Sequence, residues 1–520
     1  MEARGTVSIV ALALLAAVGA NRPPPAAHSV SVLVVRPFDP ASYASRGAVG
    51  LMVPGAGPTV SRRTALASLV RGKVESSVLG GTPGGPPLIR LGRRPAEVTI
   101  YVALPPPGRH PNTTRYPVAI VGGGYHGLLT STSTRLPGLV SIADIAPTAR
   151  DFARGERPPI RARSDPDAPA ELERIDERMA RSQDVRLGAT FVLVAAVLAG
   201  AVLAVATRSA WLARAGLLAA PTTLAASLCL SALDVTTPWL VVLLLALLVA
   251  AASLALGAFE RGLLPALVAV IVVYLVVPPI SPETNAFSAL GPHPDRGARF
   301  YGSTNLTSGT LITVALVAGE LAGPRLAWAV AALTLVTIGW SHAGADGGGL
   351  VMAAAGFAVL GLRLRRTRTT ARVVALAAAA IVAAAFLLIG LDAATGGSSH
   401  VTHAVGKGPG SLLGDLGHRL HLSYATATSS WHTALVFAVS VAALAWLGTR
   451  KPRFPVGDAL FVAIAVSLLV NDTPTDVASA GALSYAVVWA WERLAPDDRR
   501  ASRSRRPTVA GDVPRVSTRA

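Results

Sequence analysis

The sequence predicts a membrane all-α multispan bundle of about 11 transmembrane helices, preceded by a signal or anchor segment and a small N-terminal α/β extracytoplasmic domain. Three observations predict it. Apolar residues make up 52% of the 520-residue chain against 15% charged, with a mean hydropathy of +0.51, which is too apolar for a chain wholly in water. From Leu187 onward the text is almost continuously apolar. Before that point, short β-branched runs alternate with Pro- and Gly-rich stretches, the pattern of strands joined by turns.

The first 20 residues hold a short polar head and an apolar run ending Val18-Gly19-Ala20. That run is shorter than the ~20 residues of a spanning helix, and its small residues suit cleavage, so it reads as a signal peptide or a signal anchor. Residues 21–152 form the predicted α/β domain, with strand-like runs "SVSVLVV" (29–35), "EVTIYVAL" (97–104) and "YPVAIVGGG" (116–124). The glycines of "GGGYHG" (122–127) read as a tight strand-to-loop turn in which Tyr125 and His126 could meet a ligand; the segment lacks the Lys-Ser/Thr ending of a P-loop and the spacing of a dinucleotide fingerprint.

Residues 153–186 read as a polar linker followed by a solvated juxtamembrane helix, "AELERIDERMARSQDVR", with both charge signs at helical spacing. Residues 187–492 are the multispan domain, with spans beginning near 187, 215, 238, 262, 306, 326, 349, 373, 431, 456 and 475. Residues 493–520 form a basic tail.

The net charge of +18 would suit a nucleic-acid partner if the arginines formed one patch. They cluster instead in alternate loops: Arg208 with Arg214, Arg261, Arg325, the run from Arg363 to Arg372, and Arg450 to Arg453. This is the positive-inside pattern, so the sequence predicts a multi-pass plasma-membrane protein with its N-terminal domain extracytoplasmic, its C-terminus cytoplasmic and no nucleic-acid partner. All ten histidines then fall on the outer side. The single cysteine, Cys229, lies in an apolar run and allows no intrachain disulfide or cysteine-based metal cluster.

"LPGLVSIADIAPT" (136–148), "GAVGLM" (47–52) and "YPVAIVGGGYHGLLTSTSTR" (116–135) together resemble segments of bacterial multispan membrane proteins that carry an alkaline-phosphatase-superfamily-like extracytoplasmic domain. That superfamily's chemistry requires two metal ions held by several Asp and His side chains beside a nucleophile. Between Asn21 and Ala143 the acidic residues are Asp39, Glu75 and Glu97 and the histidines His28, His110 and His126, a thin supply for such a cage. The domain is therefore expected to be a shortened, catalytically inactive relative without metal or cofactor, retaining a docking role. Asp144, within the shared phrase, is expected to cap the helix beginning at Ile145 to Pro147.

Three segments mix Gly, Asn, Asp and hydroxyls at the same predicted face: "RFYGSTNLTSGT" (299–310), "SHAGADGGG" (341–349) and "VNDTPTD" (470–476). Irregular backbone at membrane depth belongs where it lines a cavity or is covered by protein, so they predict a shared external polar pocket of Arg299, Tyr301, Asn305, Asp346, Asn471 and Asp472. These segments also resemble membrane motifs of the same family. Arg299 to Gly302 and Asn305 match, Leu306 stands where an acid is expected, and Asp346 replaces an Asn; Asn471 and Asp472 match while Thr473-Pro474 depart. Asp346 and Asp472 are either carboxylates in the pocket or helix N-caps at water level. The pairs His400 with His403 and His418 with His421 share helical spacing but lack a completing ligand, and read as a solvated loop or a segment lying on the membrane.

The expected role is the handling or organisation of an extracytoplasmic lipid-linked or glycan substrate, as a membrane transferase for example, with membrane lipids as the surrounding partner. A transporter or flippase and a non-catalytic scaffold are the alternatives.

Overall fold

In the computed structural model, residues 27–297, 299–366, 417, 420–451, 453–471 and 473–494 are described. The N-terminal segment, the basic tail, Asp472, the span expected near 373 and His400, His403 and His418 lie outside them.

Nine strands build the α/β domain: Val30–Val35 (β1), Gly47–Val53 (β2), Thr59–Ser61 (β3), Val98–Ala103 (β4), Arg109–Pro111 (β5), Tyr116–Val121 (β6), Gly127–Ser131 (β7), Leu139–Ser141 (β8) and Ile160–Arg163 (β9). Seven of them form one mixed sheet in the order β1-β4-β6-β2-β7-β9, with β8 paired to β2, while β3 and β5 form a small antiparallel ribbon. Strand β2 is buried along its whole length because it is covered on both faces. Its alternate side chains go opposite ways. Ala48 and Met52 join a core with Ile100, Ile120, Leu69 and Phe152, closed by the helices Arg62–Arg71 (α1) and Ile145–Arg154 (α2). Val49, Leu51 and Val53 join Leu128, Leu139, Leu172, Ile175 and Phe287 in a second core.

That second core brings two corrections. The segment 153–169 is not a free linker: β9 lies within it and pairs antiparallel with β7. Nor is 170–186 a solvated helix. It opens the 40-residue helix Ala168–Thr207 (α3), whose Leu172, Ile175 and Met179 pack on the sheet while Val192, Leu193 and Val197 join the membrane-type core. The spacing of three and four places one apolar stripe under the charges. Arg115 pairs with Asp176 at 2.6 Å and ties that helix to the sheet.

The helices Ala210–Ala232 (α4), Pro238–Gly257 (α5), Leu263–Ile280 (α6), Asn305–Gly339 (α7), Gly347–Leu364 (α8), Trp431–Gly448 (α9), Pro455–Val470 (α10) and Pro474–Leu494 (α11) complete the bundle. Among the described residues, seven helices are long and apolar enough to cross a membrane, α3 to α9. Helix α10, with 16 residues, is short for a span. Helix α7 covers the spans expected near 306 and 326 and reverses at Gly323 (φ 79°, ψ 175°). A Cβ on Gly319 would therefore stand 3.8 Å from Cβ of Ala327. The multispan class with an N-terminal α/β domain stands, with seven candidate spans among the described residues where about eleven were expected.

Helices α3 and α4 meet backbone to backbone: a Cβ on Gly200 would fall 2.3 Å from Cα of Gly216. In an apolar solvent, where burial does not drive association, such close approach through small residues is what holds helices together. Phe191, Val202, Leu247, Leu435 and Val439 point outward and are exposed, as lipid-facing side chains are. The helices alternate in direction, so Arg208, Arg325, Arg365, Arg450 and Arg493 gather at the end away from the sheet. There Arg365, Arg450 and Arg493 stack over Trp328, Trp446 and Trp489.

Candidate functional site

At the sheet end of the bundle, the loop after α6 is clamped against the loop between α7 and α8. Gly302 (φ 83°) makes this possible: a Cβ there would fall 2.2 Å from the Gly344 carbonyl oxygen, which accepts instead from the Ser303 N–H at 2.7 Å. Only glycine combines that conformation with that approach. Thr304 then caps α7 through Thr307 N–H, which sets Asn305 and Ser308 on its first turn.

Asp346 is 2% exposed and is the N-cap of α8, though buried rather than at water level. Its Oδ1 accepts from Gly349 N–H at 3.0 Å and its Oδ2 from Ser308 Oγ at 2.6 Å. Arg299 stands 3.9 Å away and also donates to the Ser303 carbonyl. Both carboxylate oxygens are thus engaged in holding α7, α8 and the Arg299 loop together. Asp346 organises the site and presents no free oxygen to it.

Asn305 donates through Nδ2 to Thr473 Oγ1 at 2.5 Å, while its buried Oδ1 has no hydrogen-bond partner among the described residues. Asn471 is buried. It donates through Nδ2 to Ser467 Oγ at 2.6 Å, its carbonyl accepts from Ser423 Oγ at 2.6 Å, and its Oδ1 presses on the Cα of Gly348, where a Cβ would lie 1.9 Å away. Arg299, Asn305, Asp346 and Asn471 therefore share one neighbourhood. Tyr301 faces another way: the Arg135 guanidinium lies 4.1 Å from its ring centroid and donates to the Ser341 carbonyl at 2.5 Å. Tyr301 thus packs against Arg135 of the α/β domain and serves the contact between that domain and the bundle.

Asn305 lines a narrow gap together with Thr313, Met352, Ile464, Ser467 and Ala480. A second, more apolar gap includes Leu306 in its lining, the leucine standing where the resemblance implied an acid.

Of the partners, Ser308 and Thr473 lie within the polar segments read from the sequence, whereas Ser423 and Ser467 lie outside them and carry no signal apart from being hydroxyls near helix ends. Sequence reasoning also missed a buried ionic junction between the α/β domain and the bundle, in "PHPDRG" (292–297). Asp295, 2% exposed, pairs with Arg186 of α3 at 3.1 Å, and burial holds its carboxyl above the usual range against the pull of that arginine. His293 is pushed well below the ordinary histidine range, first by burial and then by Arg186. Asn112, fully buried, donates to the carbonyls of Gly55, Gly57 and Arg296.

In the α/β domain, Asp144 does not cap α2. Its carboxylate turns back to accept from Ser141 N–H at 3.2 Å and Ser133 Oγ at 2.5 Å, closing a capping box on the short turn before α2, and burial raises its pKa. Gly122, Gly123, Gly124 and Gly127 all have positive φ, the tight turn expected. Tyr125 is spent on structure: its hydroxyl donates to the Ile160 carbonyl at 2.5 Å, which pins β9. His28 and Glu97 pair at 2.5 Å, and His110 contacts the Pro107 carbonyl at 2.9 Å. Among the described residues, no group of three or more His, Cys, Asp or Glu is placed to hold a metal ion. No family model matches the chain, and no curated protein or solved structure is significantly similar to it.

Proposed function

We propose that this chain is a multi-pass plasma-membrane protein that handles an extracytoplasmic lipid-linked or glycan substrate at the Arg299–Asn305–Asp346–Asn471 site, its α/β domain acting as a non-catalytic docking module. The observation that carries the reading is the buried Asn305 Oδ1, without a hydrogen-bond partner among the described residues, beside a narrow gap lined by Met352, Ile464 and Ala480 of the helices. A buried amide oxygen without a donor is costly, and a substrate hydroxyl or N–H would satisfy it. The gathering of arginines at the end away from the sheet supports an orientation with the site outside. The structural engagement of Asp346 favours substrate binding through Asn305 over chemistry at that carboxylate.

The test is mass spectrometry of envelope lipids and glycans in cells with and without the protein. Accumulation of one lipid-linked species on deletion, reversed by wild type and not by Asn305→Leu at equal membrane abundance, is the expected result. An unchanged profile under conditions of high abundance overturns the proposal in favour of a scaffold.

A further inference from the structure

We infer that the end of the α/β domain nearest the bundle docks on the anionic phospholipid headgroups of the bilayer that the bundle crosses, through Arg62, Arg63 and Arg109. The inference needs the helices to span a membrane and does not need the substrate proposed above, so the two fail separately.

Charge singles out this domain. Residues 27–163 contain 17 Lys and Arg against six Asp and Glu, so more than half of the chain's net charge of +18 sits here. The positive-inside pattern accounts for arginines in the loops between spans and leaves these unexplained. Two stretches, 54–63 and 104–115, carry Arg62, Arg63, Arg109 and Arg115 and no acidic residue. Arg115 is taken by Asp176, whereas Arg62, Arg63 and Arg109 are exposed.

The fold gathers these three at one end. Strands β2 and β4 run in the same direction, since both are antiparallel to β6. The last residue of β2 meets the bundle: a Cβ on Gly297 would fall 3.0 Å from Val53 Cγ1. The end of β4, and the turn 104–109 that follows it, therefore point toward the bundle as well. The sheet order sets β4 two strands from β2, about 10 Å to the side, so that this turn lies outboard of the contact. The β3–β5 ribbon is fixed at its base, where the Arg296 carbonyl accepts from Gly57 N–H at 2.9 Å and Asn112 Nδ2 at 3.2 Å. Arg109, opposite Ser61, turns back toward that base and donates to Thr59 Oγ1 at 3.0 Å. Arg62 donates to the Pro105 carbonyl at 3.2 Å.

The height of the ribbon base matches a headgroup layer. Arg296 adjoins Asp295, the partner of Arg186. The next residue of α3, Leu187, is exposed, as are Trp239 at the start of α5 and Ile280 at the end of α6. These side chains mark the edge of the hydrocarbon, so the ribbon rises from where the headgroup layer, about 5–7 Å deep, begins. A surface of phosphates attracts arginines held within a Debye length, each by about fivefold in an equilibrium constant, and the guanidinium fork matches the paired oxygens of a phosphate.

The full-length protein is reconstituted in nanodiscs of phosphatidylcholine containing phosphatidylglycerol with a diazirine on its headgroup. Photolysis should label peptides 54–63 and 104–115 as well as those holding Leu187 and Trp239. Unlabelled phosphatidylglycerol should compete at the first two peptides at least about tenfold better than phosphatidylcholine, and 1 M NaCl should abolish that preference. Arg62→Gln, Arg63→Gln and Arg109→Gln together should remove the labels from both peptides and keep those at Leu187 and Trp239. The corresponding lysine triple should retain them. Arg93→Gln, Arg94→Gln and Arg154→Gln together, exposed near the starts of β1 and β4, should change nothing. Absence of label from both peptides, equal loss in the lysine and glutamine triples, equal loss in the two glutamine triples, or displacement by soluble polyphosphate and not by phosphatidylglycerol overturns the docking.

Discussion

The two faces of the seven-stranded sheet are closed in different ways. One face is covered by α1 and α2, so that Met52, Ile100, Ile120 and Leu69 form a core made wholly within the domain. The other face has only Phe38, Tyr43 and Ala44 of the domain itself packed on it. Val49, Leu51, Leu128 and Leu139 are shielded by the opening turns of α3 and by Phe287 and Phe300 from loops of the bundle. Its edge is sealed by Arg135 on Tyr301, Arg115 with Asp176 and Arg186 with Asp295. The difference teaches that the α/β domain is not a bead on a linker. Half of the residues of that second core are lent by the membrane half, and the same helix α3 runs on from the sheet into the core of the bundle through Leu193 and Val197.

The comparison breaks most completely if the domain is cut loose. A fragment of residues 27–163 keeps the first core and bares Val49, Leu51, Val53, Leu128 and Leu139. Each fully buried side chain of that kind contributes about 1.5–3 kcal/mol, so loss of several exceeds the marginal stability of a small domain. Size-exclusion chromatography and circular dichroism should show aggregation or a loosely folded chain, and extension to residue 186 should restore much of the order. A monomeric fragment of 27–163 with a cooperative melt would show that the first face suffices.

Next in size is the junction pair. Arg186→Met leaves the Asp295 carboxylate buried and unpaired, and removing one partner of such a pair costs about 3–5 kcal/mol. Arg186→Met with Asp295→Leu should recover most of the loss in a thermal melt of the reconstituted protein. Equal damage by single and double variants would mean that packing alone holds the junction. A pair of core truncations sharpens the same contrast. Leu69→Ala and Ile175→Ala should each cost about 2–5 kcal/mol. Only Ile175→Ala should also raise hydrogen exchange in the bundle loops around Phe287 and Phe300, because only Ile175 sits in the shared core.

Smaller again is the cap of α8. Asp346→Ala should cost about 1–2 kcal/mol and Asp346→Asn less, since an amide oxygen still accepts from Gly349 N–H. Should the asparagine variant lose function at full stability, the carboxylate would have a role beyond the cap.

The sequence was legible where periodicity was simple. Long apolar runs marked the spans, branched runs marked β1, β4 and β6, and the glycines of 122–127 marked their turn. Of the residues in the polar segments read as one pocket, Arg299, Asn305, Asp346 and Asn471 lie near one another, Tyr301 turns toward Arg135 and Asp472 lies outside the described residues. What stayed hidden depended on partners distant in sequence. The stripe Leu172, Ile175, Met179 sat in plain view under mixed charges, yet nothing local said that a sheet would cover it. Isolated Ile160 among polar residues gave no alternation from which to read β9. Pro221 was visible as a proline in a span, but its place among Leu193, Val314 and Val487 depends on how α3, α7 and α11 surround it. Tyr301 carried the same motif signal as Asn305, and only the position of Arg135 separates their roles.

The smallest expected effect is one of pH, and it bears on the shared face alone. His293 is 9% exposed and adopts φ 54°, and burial and the charges of Arg186 and Arg296 depress its pKa. A depressed histidine binds its proton more readily unfolded than folded. Its neutral form is therefore accommodated in full above about pH 6.5, and stability falls as pH drops below that value toward the folded pKa. Neighbouring Asp295 has a raised pKa and acts in the opposite sense, with acid relieving its cost of burial, so the two partly offset each other. Asparagine tolerates the left-handed backbone and does not titrate. His293→Asn should therefore flatten the decline in melting temperature between pH 7.5 and 5.5, by at most the effect of one proton, about 1.4 kcal/mol per pH unit. Leu69→Ala, which weakens the self-contained face, should lower the melting temperature and leave the pH slope as in wild type. Equal slopes for wild type and His293→Asn would place the acid sensitivity of the molecule outside this junction.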